Sequence, residues 1–181
     1  MSDIEKVNEI LEKAEEFYLA TVDGDKPKVR PLGFHLLDGD KIYFGVGTFK
    51  AVYKQMEANP NVEIAAWDGE HFLRYYGVAD LTNNEEIVEK AFELMPEIAE
   101  AYKANGWEMG VFFLDKATAE IRNMMEVEET YEFEYSQYSN SYLKLNMSNV
   151  SIIRYFWIYC RQIINVQVMY IFMTSYSCKS F

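Results

Sequence analysis

Three Asp-Gly pairs divide the first 70 residues, and they limit the folds open to this chain more than any other feature. The pairs occupy 23–24, 38–39 and 68–69, each between runs rich in branched and aromatic residues. Gly adopts the positive φ that a two-residue hairpin turn requires, so each pair predicts a tight reversal between two strands. Hairpins join antiparallel strands, whereas a parallel βαβ sheet needs long crossovers. The chain is therefore expected to form an antiparallel sheet.

Other segments extend this sheet and place helices at its ends. Strands are predicted at 17–22, 29–37, 42–46, 62–67, 72–81 and 130–133, with a last hairpin formed by 109–114 and 118–124. A capping box at Ser2 and Glu5 predicts an N-terminal helix. Helical spacing resumes after Asn84, and Pro96 is expected to kink or split that helix. About six or seven strands suit a mainly β, α+β fold, a small split antiparallel β-barrel with peripheral helices.

The segment from 41 to 59 predicts a strand that leads into a helix. Apolar residues alternate along 42–46, and Gly45 and Gly47 would let the backbone approach another group closely. Thr48 is a favoured N-cap residue, and apolar residues at helical spacing follow until Asn59.

Lys50 lies in the first turn of this predicted helix, where the helix dipole makes a cation mildly unfavourable. Free N–H groups at a helix N-terminus bind anions readily. Together with the Thr48 hydroxyl and with Arg30 on the preceding strand, Lys50 indicates a phosphate site. An ordinary solvated lysine beside an ordinary cap fits the same pattern, and both interpretations remain open.

Four segments resemble, in their order and spacing, the pyridoxamine 5'-phosphate oxidase-like superfamily of FMN-binding split β-barrels: RPLGF, DGDKIYFGVGTFKAVYKQ, NPNVEIAAWDG and FLRYYGVA. The resemblance covers about residues 4 to 133 and is closer to the small nitroimidazole reductase-like branch. It implies FMN as the cofactor, with its phosphate held by Arg30, Thr48 and Lys50.

The same resemblance implies that the backbone of Pro31 and Leu32, and that of Phe44, Gly45 and Val46, lines the isoalloxazine ring and the ribityl chain. Many family members have Thr where this chain has Val46, so one polar contact to the flavin would be absent. Genuine pyridoxamine phosphate oxidases end in a basic segment that contains Trp, and nothing here matches it. That specific activity is therefore not expected.

The resemblance also implies an FMN-dependent oxidoreductase that forms a homodimer with the flavin at the interface. NADH or NADPH would donate electrons, and an unidentified small molecule would accept them. The sequence does not identify a catalytic residue. Two alternatives stay open: a non-catalytic barrel that binds FMN or haem, and an interaction module whose flavin site has decayed.

Charge and residue spacing exclude several other functions. The chain has a formal charge of −12, and its last 47 residues contain four basic residues and no acid, which leaves −16 on residues 1–134. So acidic a body disfavours nucleic-acid binding. His35 and His71 have no ligand cluster around them, so no metal site is expected. No signal peptide is recognisable at the N-terminus, and a cytoplasmic protein that does not bind membranes is predicted.

The sequence favours structural roles, rather than catalytic ones, for His35 and for two of the tryptophans. Strand alternation predicts that His35 faces away from Arg30, which weakens a role for it as a proton donor. Trp67 and Trp107 are expected to pack in the core or at a subunit interface.

Composition changes abruptly at residue 135 and predicts a domain of residues 1–134 followed by an atypical tail, 135–181. The tail contains no Gly, Pro, Ala, Asp or Glu, and it holds both cysteines. Arg154 and Arg161 interrupt its apolar stretch, and each would cost roughly 2.5–3.5 kcal/mol near a bilayer centre. Read-through or frame-shifted sequence is the favoured interpretation, and a genuine extension that packs on the barrel or on a partner is the alternative.

Overall fold

The computed structural model describes residues 1–14, 16–82 and 84–135. Its elements in chain order are α1 (Asp3–Lys13), β1 (Phe17–Asp23), β2 (Lys26–Leu32), β3 (His35–Asp38), β4 (Lys41–Gly47), α2 (Ala51–Ala58), β5 (Asn61–Trp67), β6 (Phe72–Thr82), α3 (Glu85–Leu94), α4 (Pro96–Asn105), β7 (Met109–Arg122) and β8 (Val127–Phe133). Apart from Tyr135, the predicted tail lies outside the described residues, and the domain boundary stays a prediction.

The local signals for the three turns, for the starts of α1 and α3 and for the break at Pro96 are confirmed. Glycines 24, 39 and 69 adopt φ values of 65°, 64° and 101° in the three Asp-Gly turns. Ser2 and Glu5 form the capping box of α1, and Asn84 accepts a hydrogen bond from Ile87 N–H at the start of α3. Pro96 begins α4 immediately after α3 ends, because its ring excludes it from a helix interior but suits the first turn.

The strands form one antiparallel sheet that curls into a split barrel, as predicted. Seven strands follow the order β2-β1-β5-β6-β7-β4-β3, and β8 pairs with β7 beside this path. β2 and β3 lie at opposite ends of the order, yet only Gly33 and Phe34 connect them. The sheet must therefore bend until its ends approach each other. Accordingly, the Phe17 ring of β1 lies 6.0 Å from the Phe44 ring of β4.

The prediction of a single strand from 29 to 37 is wrong, because the chain passes from one end of the sheet to the other between Leu32 and His35. β2 pairs only with β1, and β3 pairs only with β4. Side-chain alternation therefore does not extend from Arg30 to His35. β2 is an edge strand, where Pro27 and Pro31 remove no ladder hydrogen bond.

The predicted hairpin around Asp115 and Lys116 is also wrong, because 109–122 form one continuous strand. One edge of β7 pairs with β6 along its length. The other edge pairs with β4 at 109–112 and with β8 at 117–122. The β6–β7 pairing shifts register here, between Tyr76–Thr118 and Val78–Asp115, and Lys116 adopts a φ of 46°. The hairpin instead lies between β7 and β8.

Rows of paired residues across the sheet define the core. Leu19, Ile64, Tyr75 and Ala119 occupy one row and are all 0% exposed. Helices α1 and α2 cover this core with Val7, Leu11, Val52 and Met56. No helix in the described ranges is long and apolar enough to cross a membrane.

Candidate functional site

Arg30 lies at the β2 end of the buried row, on the same face as Leu19, its partner in β1. Its Nη1 atom donates to the Leu19 carbonyl oxygen at 3.1 Å and to Thr21 Oγ1 at 2.6 Å. Its Nη2 atom donates to Gln55 Oε1 at 2.9 Å. Thr21 Oγ1 donates to the same Gln55 oxygen at 2.7 Å. The guanidinium group is thus held between β1 and α2.

In this position Arg30 remains charged, and only some of its N–H donors have an acceptor. A guanidinium carries five N–H donors in a rigid fork. Among the described residues, Nε–H and one Nη2–H of Arg30 have no acceptor. Burial lowers the pKa of the guanidinium, which nevertheless remains protonated at neutral pH. These two N–H groups of Arg30 therefore remain available to donate hydrogen bonds to an anion.

Lys50, rather than Thr48, is the N-cap residue of α2, which corrects the sequence prediction. Lys50 N–H donates to the Gly47 carbonyl oxygen at 3.0 Å and closes a turn ahead of the helix. The N–H and hydroxyl of Thr48 both donate to the carbonyl oxygen of Glu108, at 3.0 and 3.3 Å. Thr48 therefore anchors the turn to the start of β7, and its hydroxyl is directed away from the helix N-terminus.

The first turn of α2 keeps its backbone donors open. No described side chain caps the helix, and its first turn contains no acidic residue. The N–H groups of Ala51 and Val52 have no acceptor among the described residues. Open N–H groups, the positive end of the helix dipole and the exposed Lys50 ammonium together favour an anion.

The structure links Arg30 and Lys50 through α2 but does not bring them into contact. Arg30 contacts the helix at Gln55, five residues beyond Lys50, or about 7.5 Å along the axis at about 1.5 Å per residue. One cation thus lies at the N-terminus of α2 and the other beside the middle of the helix.

The five residues predicted to line a flavin with their backbone lie on two strands. Phe44 and Val46 are 0% and 4% exposed and belong to the core, as does Leu32. Pro31 points to the opposite, exposed face. β4 pairs with β3 at 41–44 and with β7 at 44–47, so Gly45 and Val46 have a strand partner on one edge only, and the outer edge of β2 has none among the described strands.

Glycines 45 and 47 make room for the protein's own aromatic rings. A Cβ at Gly45 would lie 3.1 Å from Phe34 Cδ1. At Gly47 it would lie 2.5 Å from Phe49 Cε1 and 2.9 Å from the Tyr102 hydroxyl oxygen. The sequence predicted that another group approaches the backbone closely at these glycines. The structure shows this approach, and the approaching groups are side chains of the protein itself.

Phe49 and Trp107 form a half-exposed aromatic shelf beside the start of α2. Their rings are stacked with centroids 4.5 Å apart and planes inclined by 29°. Tyr102 supports both rings edge-on from below, at 6.1 and 5.9 Å. Phe49 is 48% exposed and Trp107 43% exposed, so Trp107 does not pack in the core, and the alternative of packing at a subunit interface stays a prediction.

His35 packs edge-on against the core residue Phe17, with ring centroids 5.4 Å apart. Burial lowers the pKa of His35, and Glu12 opposes this shift weakly. The imidazole is therefore predominantly neutral at pH 7 and serves as a packing group in this structure.

The outer face of β1, β5 and β6 carries a second exposed apolar surface. Trp67, 45% exposed, packs against Phe72 at 5.2 Å. A shallow depression of about 560 Å³ surrounds this pair and includes Tyr18 and Met124. Arg74 crosses its rim and donates two hydrogen bonds to Glu63.

His71 is placed between two carboxylates near the β5–β6 turn. Its Nδ1 and Nε2 atoms lie 3.6 Å from Asp68 Oδ2 and 3.3 Å from Glu128 Oε2. No group of three metal-binding side chains occurs in the part of the chain that the structure describes. The cluster joins two hairpins and is interpreted as structural.

Sequence reasoning missed Gln55, Thr21 and the contact between Phe49 and Trp107. Gln55 could have been noticed as a polar residue among the apolar positions of α2. By contrast, no spacing rule connects Phe49 with Trp107, because the contact depends on how α4 returns to the sheet.

Comparison with known proteins agrees with this architecture. The pyridoxamine 5'-phosphate oxidase family model matches residues 4–128, which is most of the chain. The chain belongs to the pyridoxamine 5'-phosphate oxidase family. It is also 30% identical to a NimC/NimA family protein from Clostridium acetobutylicum, over 72% of this chain and 90% of that chain, with a TM-score of 0.62. No curated protein matches significantly.

Two solved structures of lower sequence identity share the fold alone. General stress protein 26 from Bacillus anthracis is 17% identical, with 74% of this chain and 100% of that chain covered and a TM-score of 0.55. A haem-binding protein from Mycobacterium smegmatis is 16% identical, with coverages of 73% and 58% and a TM-score of 0.53. The split barrel therefore accommodates very different sequences.

Proposed function

We propose that this pyridoxamine 5'-phosphate oxidase-like protein binds FMN and acts as an oxidoreductase on a small molecule. NADH or NADPH would reduce the flavin, and the reaction takes place in the cytoplasm. The observation that carries the proposal is the linkage of Arg30 to α2 through Gln55. It places a guanidinium on one side of a helix whose N-terminus has open N–H groups and Lys50.

The residues at this end of α2 fit a phosphate monoester. Lys50 and the N–H groups of Ala51 and Val52 supply donors at the positive end of the helix dipole, and Arg30 supplies a second cation. Thr48 has a positioning role, because its two hydrogen bonds to Glu108 hold the turn in place. Bound flavin would supply the hydride or electron transfer, while the protein binds the phosphate and orients the flavin.

Substitution of both cations tests the phosphate site. Arg30→Ala combined with Lys50→Ala should weaken FMN binding by at least about 100-fold, since each of the two lost charge-assisted hydrogen bonds contributes about 1.5–3 kcal/mol. Lys54→Ala is the matched control, because Lys54 is an exposed cation on the same helix and pairs with Glu57. FMN titration by fluorescence quenching measures both. Unchanged affinity in the double variant would show that the phosphate lies elsewhere.

A turnover assay separates an enzyme from a binding protein. FMN-loaded protein should oxidise NADH or NADPH in the presence of a dye acceptor. If FMN binds but no turnover occurs, the non-catalytic alternative replaces the enzyme. If FMN does not bind, a haem titration followed by visible absorption tests the remaining ligand of that alternative.

A homodimer with the flavin at the interface belongs to the same proposal. The exposed side chains of Tyr18, Trp67 and Met124 around the depression support self-association, because exposed apolar patches often mark contacts between proteins. Trp67→Asp should convert the dimer to a monomer in gel filtration with light scattering. Ile98→Asp is the control, since Ile98 is 42% exposed but lies on α4. A dimer that survives Trp67→Asp would place the interface on another surface.

A further inference from the structure

His71 lies between two carboxylates that belong to different hairpins. Its Nδ1 atom lies 3.6 Å from Asp68 Oδ2 in the β5–β6 turn, and its Nε2 atom lies 3.3 Å from Glu128 Oε2 in β8. A neutral imidazole has a single N–H group, so one of its nitrogens would present a lone pair to a carboxylate oxygen. The imidazolium donates from both nitrogens. Both contacts are therefore attractive only when His71 is charged.

The charged groups around this ring come from three elements. Asp68 and Glu70 lie in the β5–β6 turn, and Glu128 lies in β8. Lys13 at the end of α1 is close enough to attract Asp68 and Glu70, but its ammonium pairs with Glu9 at 2.6 Å. Burial acts to raise the pKa of Asp68, yet hydrogen bonds from two backbone N–H groups of the turn hold it below its ordinary value. Asp68 is therefore ionised at neutral pH and attracts an imidazolium.

The contact with Glu128 continues into the turn between β7 and β8. Glu128 Oε1 accepts from Asn123 Nδ2 at 2.7 Å, while Oε2 faces His71. Asn123 Oδ1 in turn accepts from the backbone N–H groups of residues 125 and 126, at 2.7 and 2.9 Å. Met124 lies inside this hydrogen-bonded turn and is 76% exposed. A chain of contacts thus connects His71 with the turn that carries Met124.

Both ends of this chain of contacts border the exposed apolar depression. His71 lies in the turn that separates Trp67 from Phe72, the two packed aromatic residues of the depression. Met124 lines the same depression from the β7–β8 turn. His71 therefore joins the two hairpins whose side chains form this surface.

We propose that His71 is a proton-dependent clamp, which in its charged form fixes the β7–β8 turn to the β5–β6 turn and so shapes the surface on which a second copy of this chain docks. The inference rests on the proposed homodimer. A surface that is already ordered loses less conformational freedom on binding, so association is tighter. Histidine changes charge between about pH 5 and pH 8. Self-association should therefore strengthen as the pH falls through this range and weaken as it rises.

Sedimentation velocity of the full chain at pH 6.0 and pH 8.0 tests the proposal. The wild-type dimer should be roughly threefold tighter at pH 6.0, the effect of a partly exposed ion pair. His71→Gln keeps a donor and an acceptor but cannot become charged, so it should lose this difference. His35→Phe removes the other histidine of the chain and should keep it. An equal difference in His71→Gln, or a wild-type dimer whose affinity does not change with pH, would overturn the proposal.

Urea denaturation separates failure of the clamp from failure of the homodimer. A chain that is monomeric at both pH values would refute the homodimer, and the clamp is then judged by a double-mutant cycle of His71→Gln and Glu128→Gln. The shifts in the urea midpoint should deviate from additivity more at pH 6.0 than at pH 8.0, because the charged ring attracts Glu128 more strongly. The cycle cancels the contribution of His35. A deviation that is absent, or that is equal at both pH values, would refute the clamp itself.

Discussion

The Nη2 atom of Arg30 donates a hydrogen bond of 2.9 Å to Oε1 of Gln55, and this contact joins the edge strand β2 to helix α2. The same Gln55 oxygen accepts the Thr21 hydroxyl at 2.7 Å. One amide oxygen therefore satisfies donors from two strands. The contact orients the guanidinium that we propose to bind the flavin phosphate.

Gln55→Ala should destabilise the protein by about 1–3 kcal/mol, because Thr21, only 3% exposed, loses its acceptor. FMN affinity should also fall, since Arg30 loses one of its three holding contacts. Gln55→Glu is the control, as it keeps an acceptor for both donors. Urea denaturation and FMN titration measure the two effects. A Gln55→Ala protein as stable as wild type would show that the contact has no structural role.

His35 should make stability depend on pH. Burial lowers the pKa of His35 in the folded protein below its usual 6.5. Below about pH 6.5 the unfolded chain binds a proton that the folded protein resists, so stability is lost as the pH falls toward the folded pKa. His35→Phe removes this contribution. Melting temperatures of both proteins at pH 7.5 and pH 5.5 should show a smaller decrease for the variant, and equal decreases would contradict this assignment.

Gly77→Ala should destabilise the fold by more than about 2 kcal/mol. A Cβ at Gly77 would lie 2.8 Å from the Asp115 carbonyl oxygen and from both Cα and Cβ of Ala117. These are mainly backbone atoms that cannot move without disturbing the β6–β7 pairing. Gly33→Ala is the control, because nothing lies within 4 Å of a Cβ there. Thermal denaturation compares the two variants, and equal melting temperatures would refute the steric argument.

Tyr135 makes contacts that stabilise the barrel. Its N–H donates to Asp115 Oδ1 at 2.8 Å, its hydroxyl donates to the Asp40 carbonyl oxygen at 2.6 Å, and Lys41 lies 5.0 Å from its ring centroid. Tyr135→Phe should cost about 1 kcal/mol through the lost hydrogen bond. Tyr135→Ala should cost more, because the ring contact with Phe113 is also lost. Urea denaturation distinguishes them, and no difference between the variants would mean that the ring contributes nothing.

A chain that stops after Tyr135 tests the prediction that the tail is dispensable. It should be as stable and soluble as the full chain, because the contacts of Tyr135 are retained. Thermal denaturation and gel filtration of the two forms provide the comparison. Unfolding or aggregation of the shorter chain would favour the alternative that the tail is a genuine extension.

Local chemistry in the sequence was sufficient to predict the antiparallel class, the three Asp-Gly turns, the capping box and the helix break at Pro96. Each of these depends on the φ preference or the hydrogen-bonding capacity of residues that are neighbours in the chain. The same reasoning failed at Lys116. Its positive φ lies at a register shift in the β6–β7 pairing, which is a property of the sheet.

Only the tertiary structure decided what surrounds the candidate site. Thr48 bonds to Glu108 instead of capping α2, Arg30 bonds to Gln55, and Phe49 stacks on Trp107. These partners are separated in sequence by 25 to 60 residues. The sequence by itself therefore determined the turns, the starts of α1 and α3 and which residues could bind an anion. The curling of the sheet decided which of them meet, because its pairings join distant segments that no local pattern relates.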